Sequence, residues 1–374
     1  MTLYPNLILD ALKNVRYPGD GKNIVEKEMV EDDIRIDGNK VTFSLIFDKP
    51  TDPFIRSVVR AAETAINTYI SPDVEIKGNI STKFRKEPEA RPEVLPGVKN
   101  IIGISSGKGG VGKSTVSANL AVALAAMGYK VGLLDADIFG PSMPKMFGVE
   151  DEPIYMVNKN DHDYIEPIEK YGVKMLSIGF LVDKEKAVLW RGGMASNALK
   201  QLITDAWWGD LDYFLIDMPP GTSDIHLTLV QTLPITGVVV VSTPQEVALA
   251  DARKGIAMFQ NPGVNVPILG LVENMAWFTP AQHPDERYYI FGKEGGKELA
   301  HKLGVRLLAQ IPLVTDIREH ADDGEPVAVA LETDPATANA DACAFGELAR
   351  NVVEAVEQRN RDLPATEKVE VTKK

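Results

Sequence analysis

The feature that most constrains this chain is the run Gly107-Lys108-Gly109-Gly110-Val111-Gly112-Lys113-Ser114-Thr115, which directly follows the apolar stretch Ile101-Ile-Gly-Ile-Ser105 and precedes the helical stretch Val116 to Met127. It satisfies G-x-x-x-x-G-K-[ST] in the strand, loop and helix setting that the motif needs. The glycines let the backbone pass close to a polyphosphate, so that successive N–H groups from Gly107 to Thr115 and the start of the helix point at it. Lys113 is placed to reach the β- and γ-phosphates of ATP, and the Ser114 hydroxyl to ligate Mg²⁺. Lys108 is a second lysine inside the loop, where such loops have no fixed residue. There it adds a cation able to neutralise charge that develops in the transition state.

From Val98 onward, apolar runs at 100–105, 130–135, 173–178, 213–217, 237–242, 267–272 and 305–311 alternate with segments of helix length. Runs of this kind are strands buried on both faces. The expected fold is therefore α/β, a P-loop NTPase domain over 98–358 with a mostly parallel sheet covered on both faces. Val131-Gly-Leu-Leu134 runs into Asp135-Ala-Asp137-Ile-Phe-Gly140-Pro-Ser142, and Tyr213-Phe-Leu-Ile216 into Asp217-Met-Pro-Pro-Gly221-Thr-Ser-Asp224. Both place carboxylates at the carboxyl edge of the sheet, where open α/β folds bind ligands. Asp217 fits an aspartate that holds Mg²⁺ through water, and Asp137 a residue that orients the attacking water. The Gly221 N–H can serve the γ-phosphate from a loop able to change shape when that phosphate leaves. The catalytic set read from the residues is Lys108, Lys113 and Asp137, with Ser114 and Asp217 at the metal.

The first 80 residues read as a separate small α+β domain. Leu3, Leu7, Ile8, Ala11, Leu12 and Val15 have helical spacing, and strands at 33–37 and 40–48 flank the turn Asp37-Gly38-Asn39. A helix over 53–69 and a strand over 73–79 complete an α-β-β-α-β unit. Residues 81–97, charged and holding three prolines, read as a linker. Residues 359–374, polar, interrupted by Pro364 and without amphipathic period, read as a disordered tail.

Composition narrows the function. The net charge of −13 works against a broad phosphate-backbone footprint, so nucleic acid is not an expected partner. No window is long and apolar enough to span a bilayer, the N-terminus does not read as a secretory signal, and a membrane is not expected either. The single cysteine, Cys343, allows neither an intramolecular disulfide nor a thiolate-only metal cage within one chain, and fits a reducing, cytoplasmic location. It falls in a helix expected over 335–357, on the face opposite the apolar stripe of Phe345, Leu348, Ala349, Val352, Val353 and Val356.

Taken together, Lys108 to Thr115, Asp135 to Ser142 and Asp217 to Asp224 resemble the deviant Walker A ATPases, the group that includes MinD, ParA and the nitrogenase iron protein. Asp137-Ile-Phe-Gly-Pro-Ser142, Trp190-Arg-Gly-Gly-Met194, Glu273-Asn274-Met275 and Ile311-Pro-Leu-Val-Thr-Asp-Ile-Arg-Glu319 are similar to signatures of the Mrp/ApbC iron–sulfur cluster carriers, over 98–330. Residues 1–80 are similar to the PaaD-like domain often fused ahead of that family. The resemblance implies a homodimer that sandwiches nucleotide, with Lys108 reaching across it and Asn274 contacting adenine. It also implies apoprotein clients or other cluster-assembly proteins as partners, and an iron–sulfur cluster shared by two Cys-x-x-Cys pairs. Here Pro280 and His283 stand where those cysteines fall, and Lys49-Pro-Thr51-Asp-Pro53 replaces a cysteine that PaaD-like domains tend to carry.

The family's thiol ligands are thus missing from this sequence. His283 reads as a surface loop residue and His226 as a helix-start side chain with a polar contact or a core-edge place beside the loop after Asp217. His162, His301 and His320 carry no chemical signal. The leading expectation is an ATP-hydrolysing carrier that delivers clusters to apoproteins through ATP-dependent dimer switching. The alternatives are a spatial organiser of the MinD or ParA type and an ATP-dependent dimerising scaffold. The organiser needs a basic amphipathic helix or a basic surface, which the tail and the net charge do not offer.

Overall fold

The computed structural model describes residues 3–18, 22–47, 52–84, 94–138, 140–159, 162–181, 192–280, 283, 285–333 and 339–369. Phe139, Trp190, Arg191, Lys49 to Thr51 and most of the expected linker lie outside them. The chain divides into two compact units, Met1–Pro92 and Glu93–Lys374.

The first unit contains α1 (Pro5–Leu12), β1 (Arg35–Asp37), β2 (Lys40–Phe47), α2 (Ile55–Tyr69) and β3 (Ile80–Phe84). Pro5 opens α1, where a missing N–H costs nothing. β1 and β2 pair antiparallel around Gly38, whose φ of +59° suits glycine. Every second residue of β2 from Val41 to Phe47 is buried and meets Ile8, Leu12, Val58, Ala62 and Ile66 from the two helices. The third strand lies at Ile80–Phe84, parallel to β2, and not at 73–79. Residues 73–79 bury Val74 and Ile76 but touch β2 through a single bridge, Lys40 to Glu75. Their apolar spacing thus reflects two side chains pinned into a core from an irregular segment. β3 is an edge strand with mostly exposed side chains, so it needs no apolar pattern. Lys83 anchors it to Asp33 and Glu31. The expected linker therefore begins later than residue 81.

The second unit is built on an eight-stranded sheet. In chain order its elements are β4 (Val98–Ser106), α3 (Lys113–Ala126), β5 (Val131–Asp135), α4 (Met143–Met146), β6 (Met156–Lys159), β7 (His162–Ile165), β8 (Ile168–Lys170), β9 (Val173–Ser177), α5 (Gly192–Thr204) and β10 (Leu211–Asp217). They continue with α6 (Asp224–Thr232), β11 (Gly237–Ser242), α7 (Glu246–Gln260), β12 (Ile268–Phe278), α8 (Gly295–Leu303), β13 (Leu307–Leu313), α9 (Thr315–Asp323), α10 (Ala330–Thr333) and α11 (Ala340–Asp362). The sheet order is β13-β12-β11-β4-β10-β5-β9-β8, parallel throughout except for β8 on β9. All seven apolar runs are parallel strands. The short β6–β7 hairpin and β8, too polar to show as runs, went unread. Side chains of α3 and α11 cover one face, and those of α5, α6, α7 and α8 the other.

The expected disordered tail is also revised. α11 runs on through Asp362, and Arg359 donates through Nη2 to Thr366 Oγ1 at 2.8 Å. The Val369 N–H donates to the Val230 carbonyl at 3.2 Å, and Val369 packs on the core beneath α6. A polar composition conceals this because the segment is fixed mainly by hydrogen bonds.

In α11, Phe345 is fully buried while Cys343 is exposed. Phe345→Ala should lower the unfolding free energy in urea by about 3–5 kcal/mol through the cavity it leaves. Cys343→Ser on the outer face should change it by no more than about 0.5 kcal/mol.

Candidate functional site

The loop from Gly107 to Gly112 leaves the end of β4 and enters α3 at Lys113. Gly110 and Gly112 have φ of +82° and +83°, which glycine alone adopts without strain. Space constrains the loop as well. A Cβ on Gly107 would collide with the Asp251–Ala252 backbone of α7, and one on Gly112 with the side-chain amide of Asn274. Asn274, on β12, is buried, and its Nδ2 donates to the Val111 carbonyl at 2.8 Å. Its amide is thus turned onto the loop's own backbone.

Beneath the loop lies a buried polar cluster centred on Asp217, at the end of β10. Asp217 Oδ2 accepts from Lys113 Nζ and from Ser114 Oγ, each at 2.7 Å, and Oδ1 accepts from Ser117 Oγ at 2.6 Å. The carboxylate is fully buried and Lys113 nearly so. Such a charge is tolerable inside a protein only when paired and hydrogen-bonded, and here three donors from the first turns of α3 converge on it. Asp137 Oδ2 lies 3.7 Å from Lys113 Nζ. Lys108, Gly109, Gly112, Ser114, Thr115 and Asp137 are among the residues lining a cavity of about 230 Å³ above this cluster.

Asp135 and Asp217 face each other in register on adjacent strands. Asp135 Oδ2 accepts from Ser177 Oγ at 2.9 Å and from the Met143 N–H at 3.2 Å, and Oδ1 from the Asp137 N–H at 3.1 Å. Burial, then the charge of Asp217, push its carboxyl up to about 7. The pair therefore resists carrying two negative charges at once.

After Asp217 the chain turns through Gly221, with φ of +77°, whose N–H donates to the Ser106 carbonyl at 2.8 Å. His226 then caps α6. Its Nδ1 accepts the Ser223 N–H at 3.2 Å, while its Nε2 is buried without a hydrogen-bond partner among the described residues. Burial lowers its pKa and so favours the neutral ring.

The structure brings Lys113, Ser114, Asp137, Asp217 and the glycine loop to one place, with Lys108 on the cavity wall. Ser117 and Asp135 were not singled out from sequence as site residues. Ser117 stands four residues after Lys113, on the same helical face, and this spacing is the signal that reveals it. At the positions where the resemblance places cysteines, His283 is the surface loop residue that the sequence suggests. His283 is exposed on a loop, its Nδ1 3.6 Å from Glu286 Oε1, and Pro280 offers no donor. Among the described residues no three His, Cys, Asp or Glu side chains gather as a metal site. No helix among them is long and apolar enough to cross a membrane.

A glycine loop between strand and helix, closed over a buried lysine and a strand-end aspartate in a parallel sheet, defines a P-loop NTPase. The chain belongs to the family described as NUBPL iron-transfer P-loop NTPase, which matches residues 97–352, and residues 6–77 match the iron–sulfur cluster assembly protein family. Among its relatives, the iron–sulfur cluster carrier protein of Synechocystis sp. is 44% identical, over 87% of this chain and 92% of its own. The iron–sulfur cluster transfer protein NUBPL of Dictyostelium discoideum is 38% identical, over 84% and 93%. A solved nucleotide-binding protein from Archaeoglobus fulgidus, in complex with ADP, superposes with a TM-score of 0.55 at 37% identity, over 67% of this chain and 93% of that one.

The Asp135 carboxyl sits above its ordinary 3.8 in the folded chain, so the fold binds that proton more tightly than the unfolded state does. Its contribution to stability is complete at low pH and is lost as pH rises through about 7. Between about pH 6 and about pH 8, the melting temperature of the nucleotide- and Mg²⁺-free protein should fall more steeply for the parent than for Asp135→Asn, by differential scanning fluorimetry.

Proposed function

We propose that this chain is an ATP-hydrolysing iron–sulfur cluster carrier that delivers clusters to apoproteins, and that ATP binding and hydrolysis switch a homodimer. The observation that carries the ATPase reading is the buried convergence of Lys113, Ser114 and Ser117 on Asp217 under the glycine loop. The cluster-carrier reading rests on the family and on the names of its relatives.

In this reading, the loop N–H groups cradle the phosphates and Lys113 exchanges Asp217 for the β- and γ-phosphates, which present more negative charge at the mouth of the same cavity. Ser114 and Asp217 are the oxygen donors that would hold Mg²⁺, a hard cation suited to such ligands, and the ion supplies charge neutralisation at the phosphates. Ser117 keeps its hydrogen bond to Oδ1 and so holds the carboxylate in place when Lys113 and Ser114 turn away. Asp137 orients the attacking water. Lys108 makes no ion pair or side-chain hydrogen bond among the described residues and is half-exposed, so its ammonium is available to a phosphate across a symmetric interface.

Binding and turnover should then separate. Lys113→Ala should weaken binding of a fluorescent ATP analogue at least tenfold, whereas Lys108→Ala should bind it normally and release phosphate at least a hundredfold more slowly. Equal phosphate release by Lys108→Ala and the parent would remove Lys108 from the mechanism.

The cluster is cargo here, and its ligation is the unusual part. Soft thiolates dominate iron–sulfur ligation, yet the chain offers Cys343 alone, with Pro280 and exposed His283 at the family's positions. Two copies supply only two thiolates, so the remaining ligands come from a partner protein, from small thiols or from non-thiolate groups. Anaerobic reconstitution without added thiols should give no stoichiometric cluster by Mössbauer spectroscopy. About four irons per dimer surviving Cys343→Ser would overturn this view of the ligands.

A further inference from the structure

The nucleotide site occupies one end of the second unit, and nothing in it explains a surface of the first. Between the end of α1 and the outer face of α2 runs a groove of about 850 Å³. Arg16, Arg56 and Arg60 stand around it, all three exposed. Among the described residues, none of their guanidinium groups has an ion pair or hydrogen bond, and no carboxylate lines the groove. Elsewhere on this chain, exposed cations such as Lys83, Lys99, Arg253 and Arg318 sit against carboxylates, as expected where acidic residues outnumber basic ones, 53 to 40. Three like charges gathered around one concave surface, without a counter-charge in a net acidic chain, form a patch whose complement is an anion.

The shape narrows the anion further. The groove follows α2 from Arg56 to Tyr69, which at 1.5 Å per residue is about 20 Å, longer than a phosphate or a small carboxylate. Its wall is made of the small residues Ser57, Ala61, Thr64, Ala65 and Thr68, spaced so that they share one face of α2. Small side chains let a second backbone come close, and the methyl groups give it an apolar bed. Tyr69, 60% exposed, closes the far end with an amphipathic ring of the kind enriched at interfaces. A partner helix about 14 residues long matches this surface, with small or apolar residues on one face and Asp or Glu along its flanks.

We propose that the α1–α2 groove of the N-terminal unit is a docking site for an acidic amphipathic helix of a partner protein, held by Arg16, Arg56 and Arg60 over a bed of small residues. Arginine suits this role because its fork binds carboxylates in pairs and is weakly hydrated. The site is separate from nucleotide turnover and does not rest on the reading of the P-loop.

The test uses the full chain and a fluorescein-labelled, hydrocarbon-stapled helix of about 14 residues with Ala and Leu on one face and Glu on its flanks, stapled so that ordering costs little on binding. A Lys-flanked version and a single-stranded RNA oligomer are measured beside it by fluorescence anisotropy. The parent should bind the acidic helix best, and more weakly as salt rises from about 50 to about 300 mM. Arg56→Glu with Arg60→Glu should weaken that binding at least tenfold. Ala61→Trp, which fills the groove without changing its charge, should do the same, and both variants should keep parental ATPase rates and circular dichroism. The proposal is overturned if no peptide binds, if acidic and basic helices bind alike, if RNA is preferred, or if either variant binds the acidic helix as the parent does.

Discussion

Asp217 is the point from which the second unit is organised. A carboxylate fully out of water must be matched by donors held in place, and all three that match it come from α3: Lys113, Ser114 and Ser117. The ion pair and its two hydroxyl bonds therefore do what apolar packing does elsewhere. They fix the rotation and height of α3 against the end of β10, and so set where the glycine loop lies above them. Removing either the lysine or the aspartate leaves a buried charge without its counterpart, which is far more costly than losing a surface pair.

The neighbouring strand shows how the sheet shares this burden. Register places Asp135 opposite Asp217, and two ionised carboxylates so close in a buried site repel. Donors from Ser177 and from the backbone of Asp137 and Met143 stabilise Asp135, yet burial and the charge of Asp217 still hold its carboxyl high. The negative charge is thus concentrated on Asp217, where Lys113 is. This edge of the sheet holds one carboxylate paired with a lysine beside one that resists ionisation.

The gathering of the candidate site residues was largely legible in the sequence because its parts are local. The glycine loop and the Lys-Ser pair lie in one segment, and each strand-end aspartate follows an unbroken apolar run, so the parallel strands and the site residues could be read together. What escaped depends on contacts between distant segments. β3, β6, β7 and β8 are exposed or short strands with no apolar pattern, and Val74 and Ile76 imitate one from an irregular segment. The segment after α11 is held by hydrogen bonds from Arg359 to Thr366 and from Val369 to Val230, which composition does not report. The sequence offers His226 a polar contact or a core-edge place at a helix start, and it takes both. Only the structure shows that one nitrogen caps α6 while the other is buried without a partner among the described residues.

β12 touches the glycine loop from its carboxyl-terminal half. Asn274 grips the Val111 carbonyl, and the space for its amide exists because residue 112 is glycine. One residue later Met275 takes a left-handed φ of +56°, and the pairing of β12 with β13 slips between Asn274 and Phe278. Such a conformation costs a non-glycine residue of order 1–3 kcal/mol and persists only where its surroundings enforce it. Here they do: Glu273, fully buried, accepts from the Lys297 N–H at the start of α8 and from Gln310 on β13, so the strand is clamped just before the irregularity. Beyond it the strand runs through Trp277 and ends at Phe278. Any shift of the glycine loop would have to carry Asn274 with it or break its bond to Val111, so this bond ties the loop to the irregular stretch of β12 beside it.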